Sequence, residues 1–395
     1  MSPSLTFILI TVFVDLLGYG IMLPLLPYFV QAHAQAGGAA IAGALSSLYA
    51  SAQLFAGPVL GALSDRFGRR PILLICLFGT SLGYLLLGLA DSLPLIFLAV
   101  LVDGLTGANL TTAYAYIADV TTSENRARSM GMVGAAFGLG LMAGPALGGL
   151  LSKYGLYLPA FAASAIALSN VVFGYFVLPE SLPLERREVR PVSQMFNWVN
   201  QFAGLFRQLN IQRFLMALFL LNLAFAGLQA NFPLYSSQRF QWTPTQTSYF
   251  YLYVGVCAVF IQGFLFGKLQ PRFGERALIL FGLICMAMGL AGMALARAGW
   301  LLYPAVTIVA LGTGTSIPSL TALVSLRVSE SGQGRLMGGT QTLLSLTNII
   351  GPTLAGVTFE LIAFSAPYFL GSLLSLCALV VAFLSLRRST STGSV

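Results

Sequence analysis

The chain has 395 residues, 57% of them hydrophobic and only 8% charged, with a net charge of +8 and a mean hydropathy of +0.85. A water-soluble protein of this length needs far more charge to cover its surface, so the composition describes a polytopic membrane protein. A membrane β-barrel is excluded as well, because no strand alternation broken by a turn every ten residues or so is present.

In chain order, twelve apolar segments follow one another, at 4–31, 42–63, 71–90, 94–118, 129–151, 157–178, 213–235, 245–267, 277–297, 300–325, 338–359 and 367–386. Each is long enough to cross a hydrocarbon core of about 30 Å. With the N-terminus set in the cytoplasm, the inside loops hold all of the 20 Lys and Arg residues except Lys153, Arg239 and Arg297. The positive-inside rule then places both termini in the cytoplasm. The basic excess is thus a topology signal and not a nucleic-acid footprint. A monomeric, multi-pass protein of the cytoplasmic (inner) membrane, with the lipid bilayer around it and no nucleic-acid partner, is expected. The opening segment lacks a basic leader and is too long for a signal peptide, so it reads as span 1 and not as a cleaved segment. Cys76, Cys257, Cys285 and Cys377 sit singly in apolar segments without metal-ligand spacing, which suits packing.

Span 1 contains "FVDLLGYGIMLPLLPYF", residues 13–29. It carries a carboxylate, Asp15, and two prolines, Pro24 and Pro27. A charged side chain at mid-bilayer costs roughly 2.5–3.5 kcal/mol on insertion scales, so such an acid needs a reason to be there. Between spans 2 and 3 lies "GALSDRFGRRP", whose glycines permit a tight turn and whose charges can form ion pairs. Span 4 contains "LVDGLTG", with a second acid, Asp103. Span 5 contains "GLGLMAGPALGGLL". There Gly140, Gly144, Gly148 and Gly149 make a small-residue face for close helix packing, and Pro145 deletes a backbone hydrogen bond.

The longest polar interruption runs over 179–212. It opens with the charged, proline-rich "PESLPLERREVRP" and continues into a segment whose apolar spacing, from Met195 to Phe206, suits a helix on the membrane surface. It divides the chain into an N-terminal bundle, 1–178, and a C-terminal bundle, 213–395. The halves repeat. "GALSDRFGRRPIL" from Gly61 returns 206 residues later as "GKLQPRFGERALI" from Gly267. "RSMGMVGAAFGLGLMAGPALGG" from Arg128 returns 207 residues later as "RLMGGTQTLLSLTNIIGPTLAG" from Arg335. Parallel six-helix repeats with a substrate site between them are a transporter architecture.

Gly61, Asp65, Arg66, Gly68, Arg69 and Arg70 resemble the signature loop of the major facilitator superfamily. Gly140, Gly144, Pro145, Gly148 and Gly149 resemble that superfamily's G-P-x-x-G-G antiporter signature. Together with the Asp, glycines and P-x-x-P of span 1, and with "GANLTTAYAYIADVTTSENRARSMG" over Gly107–Gly131 and "FGERALIL" over Phe273–Leu280, the whole chain resembles the twelve-span drug/proton antiporters, in their tetracycline-exporter branch. The resemblance implies an all-α integral membrane protein, with twelve transmembrane helices in two pseudo-symmetric six-helix bundles, and no enzyme activity. It also implies that Asp65 and the loop arginines gate the cytoplasmic side. The second loop copy has Pro271 and Glu275 where the first has Asp65 and Arg69, so its gate is expected to be weaker or differently paired. One departure concerns span 4, where relatives carry an arginine just before a glycine pair spaced like Gly104 and Gly107. This chain has Asp103 there.

Asp15 and Asp103 are the only acids expected near the membrane midplane, and spans 1, 4, 7 and 10 line the cavity in the fold the resemblance implies. Two such acids with no deep Arg, Lys or His beside them are suited to bind and release protons as access alternates. Each also has a plainer reading, as an acid satisfied by neighbouring polar groups. His33 reads as a solvated loop residue. Lys153 and Glu360, at equivalent outer ends of spans 5 and 11, read either as a gate pair or as two unrelated rim charges. An amphipathic ligand needs apolar walls with a few polar anchors. The candidates are Gln53 on span 2, Asn109 and Tyr114 on span 4, and Asn222, Gln229 and Asn231 on span 7, with Phe225 as a stacking partner. Proton-coupled antiport of amphipathic drugs, tetracycline-like compounds among them, is the leading expectation, with protons as coupling ions and no cofactor or metal. A sugar, lipid or metabolite exporter, uncoupled or not, is the second.

Overall fold

A computed structural model describes residues 3–107, 109–121, 123–187, 209–327 and 333–391. Among these residues the chain is helical, with no strand. The helices are α1 (Pro3–Met22), α2 (Leu26–His33), α3 (Gly38–Phe67), α4 (Arg69–Gly88), α5 (Leu93–Thr106), α6 (Asn109–Val120), α7 (Ser123–Leu151) and α8 (Leu158–Val177). After the linker come α9 (Leu209–Phe240), α10 (Pro244–Phe260), α11 (Phe266–Leu295), α12 (Leu302–Ser325), α13 (Gln333–Leu361) and α14 (Ala366–Ser391), with a π-turn at Ile261–Leu265. The surface helix expected around Met195–Phe206 lies outside the described residues.

Ten stretches of the described residues are long and apolar enough to cross a membrane. One of them, Pro244–Leu295, holds the expected spans 8 and 9 together, and expected span 5 falls within α7, which is not among the ten. Large apolar side chains such as Phe78, Phe176 and Leu361 are exposed, as lipid-facing residues are.

Two spans expected as single helices are each two. Span 1 stops at Met22 and resumes at Leu26, with Pro24 in the break and Pro27 in the first turn of α2. Proline lacks the N–H that a helix interior needs and suits a first turn. Span 4 stops at Thr106 and resumes at Asn109, around Gly107. Spans 2 and 3, by contrast, are separated by one residue, Gly68, at φ +106°. Its repeat counterpart, Gly274, interrupts α11 at φ +71°. Both occupy the region that favours glycine, so the turn is built twice.

Contacts gather the chain into two compact units, Met1–Gly38 with Leu48–Phe196 and Trp242–Gly255, and Ala39–Ser47 with Asn197–Gln241 and Val256–Val395. In the first, α1 packs on α7 and α8, and α4 on α5 and α8. In the second, α9 packs on α13 and α14, and α11 on α12 and α14. These are the same pairings one repeat apart. The first unit's core joins Leu5, Ile8, Val12 and Leu16 of α1 to Leu73 and Leu77 of α4 and Tyr116 and Ile117 of α6.

Candidate functional site

Asp15 lies on α1 inside this core. Its Oδ2 accepts a 2.6 Å hydrogen bond from Asn109 Nδ2, the side chain that opens α6. Its Oδ1 is buried and accepts no hydrogen bond among the described residues. A small cavity beside the carboxylate is lined by Thr11, Val12, Leu73, Leu77, Asn109 and Ala113. Asn109 is 7% exposed, so the amide and the carboxylate meet away from bulk water. A hydrogen bond to a charged group is worth about 1.5–3 kcal/mol, and a buried acceptor left unpaired costs a comparable amount.

Asp103 stands in the last turn of α5 and faces α4. Gly83 makes the room: a Cβ there would fall 2.8 Å from Asp103 Cβ. Asp103 lies within electrostatic reach of Asp15 and of Tyr19, Tyr49 and Tyr84. Tyr19 and Tyr49 stack with centroids 6.2 Å apart. No Arg, Lys or His occurs in residues 1–32, 34–65 or 71–125, so α1 to α6 supply no cation from within their spans. Two acids, three phenols and an amide thus form one polar cluster.

The break at Gly107 ties the cluster together. Gln53 on α3 donates its Nε2–H to Gly107 O over 2.7 Å, satisfying a carbonyl that a continuous helix would have satisfied itself. Gly107 must stay small, since a Cβ there would sit 3.1 Å from Tyr49 Oη and 3.2 Å from Gln53 Nε2. The two span 4 acceptor and donor groups, Asp103 and Asn109, flank this break.

The glycines of span 5 set the seat of α1. A Cβ on Gly144 would lie 2.6 Å from Gly20 Cα, one on Gly140 2.8 Å from Leu16 Cβ, and one on Gly148 2.7 Å from Ile21 O. Backbone meets backbone between α1 and α7, with Pro145 Cδ against Gly20. Gly149 faces elsewhere, where a Cβ would lie 2.5 Å from Ser248 Cβ of α10.

At the other end of α3 the charged loop forms a closed network. Arg69 pairs with Asp65 (Nη1–Oδ1, 2.5 Å) and with Asp119 of α6 (Nε–Oδ2, 3.1 Å), and donates to Ser64 Oγ at 2.7 Å. Glu180, just past α8, accepts from the backbone N–H of Arg69 (2.8 Å) and Arg70 (3.3 Å), the first turn of α4. It accepts also from Ser181 N–H (3.0 Å) and Leu182 N–H (3.1 Å). A carboxylate at a helix N-terminus satisfies orphan donors and complements the dipole. Arg70 donates to Tyr175 O, and Arg66 is exposed over the Phe67 ring. Gly61 has no neighbour that a Cβ would meet within 4 Å. In the second copy of the loop, Gln270 donates to Glu275 Oε1 at 3.4 Å.

The family model described as Major Facilitator Superfamily matches residues 8–343 and 263–394. The chain belongs to the major facilitator superfamily. The tetracycline resistance protein, class C, of Escherichia coli is 36% identical over 352 residues, 89% of this chain and 88% of that protein. Multidrug resistance protein 2 of Bacillus subtilis (strain 168) is 34% identical over 359 residues, 90% and 88% of the two chains. Among solved structures, the human organic anion transporter MFSD10 matches with a TM-score of 0.71 at 24% identity, over 96% of this chain and 99% of that one. The nucleoside transporter NupG matches with a TM-score of 0.77 at 15% identity, over 98% and 99%. These two likenesses carry the fold alone. As a major facilitator, the chain is a membrane transporter and not an enzyme.

Within this major facilitator, the remaining candidates divide by surroundings. Tyr114 on α6 is 41% exposed. On α9, Asn222 donates to its own helix at Leu218 O (2.8 Å), while Gln229 and Phe225 are half-buried. Asn231 is fully buried, and among the described residues neither its Nδ2 nor its Oδ1 has a hydrogen-bond partner. Of the outer charges, Glu360 Oε1 accepts from Ala39 N–H (2.8 Å), and Lys153 Nζ lies 6.0 Å from the Tyr249 ring centroid. His33 Nδ1 is 2.9 Å from Phe29 O, and its ring packs edge-on to Tyr157. Sequence reasoning had no task for Glu180, and its position three residues beyond α8 was the only available signal.

Proposed function

We propose that this transporter is a proton-coupled exporter of amphipathic drugs, with Asp15 and Asp103 as the coupling acids. The observation that carries the reading is the cation-free interior cluster in which both acids sit, one bonded to Asn109 and the other against Gly83. A carboxylate with no cationic partner in a buried site gains from binding a proton, and it can return that proton when the site opens to the other side. The printed names of the relatives, tetracycline and multidrug resistance proteins, support a drug as cargo and tetracycline as the first compound to test. Alternating access would come from rocking of residues 1–178 against 213–395, with the Arg69 network opening and closing at the cytoplasmic end. Gln229, Asn231, Phe225, Asn222, Gln53 and Tyr114 are the proposed drug contacts. The charge distribution supports cytoplasmic termini.

The test is drug uptake into proteoliposomes under an imposed pH gradient. Asp15→Asn and Asp103→Asn should each abolish uptake driven by the gradient while leaving drug binding measurable. Normal uphill transport by both variants would defeat the assignment. A second reading, a sugar, lipid or metabolite exporter, is favoured by one observation: Asp103 stands where the tetracycline-exporter branch carries an arginine. Drug-induced proton release from the protein in detergent separates the two, since a metabolite exporter would release none.

A further inference from the structure

Asn109 and Gln53 were both expected as drug anchors, and each also holds a group of the protein itself. Asn109 holds one oxygen of Asp15, and Gln53 holds the carbonyl two residues before Asn109. The geometry points to Asn109 as a positioning residue for the coupling proton: it keeps Asp15 Oδ2 as an acceptor and directs the proton to Oδ1. This inference rests on the coupling reading of Asp15.

The chemistry follows from donors and acceptors. An amide N–H can only donate, so the oxygen it meets must have a lone pair turned toward it. Ionised Asp15 satisfies this with either oxygen. Protonated Asp15 satisfies it best with Oδ2 as the carbonyl oxygen, the stronger acceptor, and the hydrogen on Oδ1. Oδ1 is the oxygen with no protein partner, so taking up a proton there breaks no bond. Protonation on Oδ2 would leave the amide N–H only the weaker hydroxyl oxygen as its acceptor. Asn109 therefore makes the two oxygens inequivalent, and the carboxyl need not rotate between its two states.

The break in span 4 supplies the aim. Asn109 is the first residue of α6, and its aim depends on how the chain leaves α5 at Gly107. Gln53 fixes that exit from a different helix, α3, so the Gln53–Gly107 bond stands behind the Asn109–Asp15 bond. The titratable groups within electrostatic reach of Asp15 are Asp103 on α5, Tyr49 on α3, and Cys76 and Tyr84 on α4. None of them occupies Oδ1.

Infrared difference spectra of the intact protein in lipid, between high and low pH, test this. The carbonyl stretch of protonated Asp15, identified by its loss in Asp15→Asn, should be that of a carbonyl accepting a hydrogen bond. In Asn109→Leu, which keeps volume and removes the donor, it should move to higher wavenumber. Asn109→Ala, which also removes the donor, should give the same shift if Asn109→Leu proves too unstable to purify. Coupled uptake should fall about tenfold or more in Asn109→Leu, the weight of one hydrogen bond to a charged group. A carbonyl band that stays in place in both variants overturns the role of Asn109 while leaving the coupling reading intact. A spectrum unchanged by Asp15→Asn overturns both, because Asp15 would then carry no exchangeable proton.

Discussion

Arg69 and Asp119, 50 residues apart, are joined at 3.1 Å, and the same guanidinium reaches Asp65 at 2.5 Å. One cation thus holds two acids from α3 and α6, and its backbone N–H is held in turn by Glu180. Removing it leaves two carboxylates facing each other. Arg69→Ala should abolish transport and lower the melting temperature in detergent. Arg69→Lys should not rescue it, because a point charge cannot reach both partners with separate nitrogens. In a double-mutant cycle, Arg69→Ala and Asp119→Ala should be coupled by about 1 kcal/mol, the upper end for partly exposed pairs. Additive losses would remove the network as the explanation.

Gly144 and Gly61 belong to two different signatures, and they should answer differently to substitution. Gly144→Val would drive a branched side chain into the Gly20 backbone, 2.6 Å from where its Cβ must go. The expected outcome is loss of folded protein, with a cost above the usual 1–3 kcal/mol of overpacking, because backbone and not a side-chain tip must move. Gly61→Ala meets nothing within 4 Å inside α3 and should raise stability by up to about 1 kcal/mol through helix propensity. Melting curves of the two purified variants decide this.

The two repeated turns offer a matched pair. Gly68→Ala meets strained φ and also the Glu180 carboxylate, whereas Gly274→Ala meets strained φ with open space around it. The second should cost about 1–3 kcal/mol, the cost of a backbone region that only glycine occupies readily, and the first measurably more. Equal losses would mean that Glu180 yields freely.

Gln53→Leu removes the donor to Gly107 O and should cost about 1–3 kcal/mol, the range for a buried acceptor left unmet. Transport should fall with it, since α6 loses its fixed start. Asn222→Leu, at an amide whose N–H bonds to its own helix, should leave stability within about 1 kcal/mol of the parent. Thermal melts read both, and a larger loss for Asn222→Leu would reverse the ranking.

Much of the fold could be read from the chain because a bilayer imposes simple rules. Apolar length marks a span, and a repeated motif marks a second bundle. Asp15 and Asp103 stood out because charge in a span is costly. What lay hidden were the partners. Asn109 lies 94 residues from Asp15, and a lone amide in an apolar helix looks the same whether it awaits a ligand or holds an acid. The break at Gly107 was hidden likewise, because a glycine pair signals close packing and helix interruption equally well. Pro24 and Pro27 were visible, but an uninterrupted apolar run marks a span without showing whether its helix is continuous. The bond from the α3 backbone N–H of Ala39 to Glu360 was hidden as well, since cap donors leave no mark in composition.

Glu180, Ser181 and Leu182 follow the last turn of α8, yet they complete the first turn of α4 and the environment of Asp119. For anyone expressing the two bundles as separate polypeptides, this sets the cut site. A fragment ending at residue 178 should aggregate or lose its charged loop, whereas one carried through Arg187 keeps its own clasp, including the 4.0 Å contact of Arg187 with Glu180. Reassembly of function from co-expressed pieces should therefore depend on those nine residues.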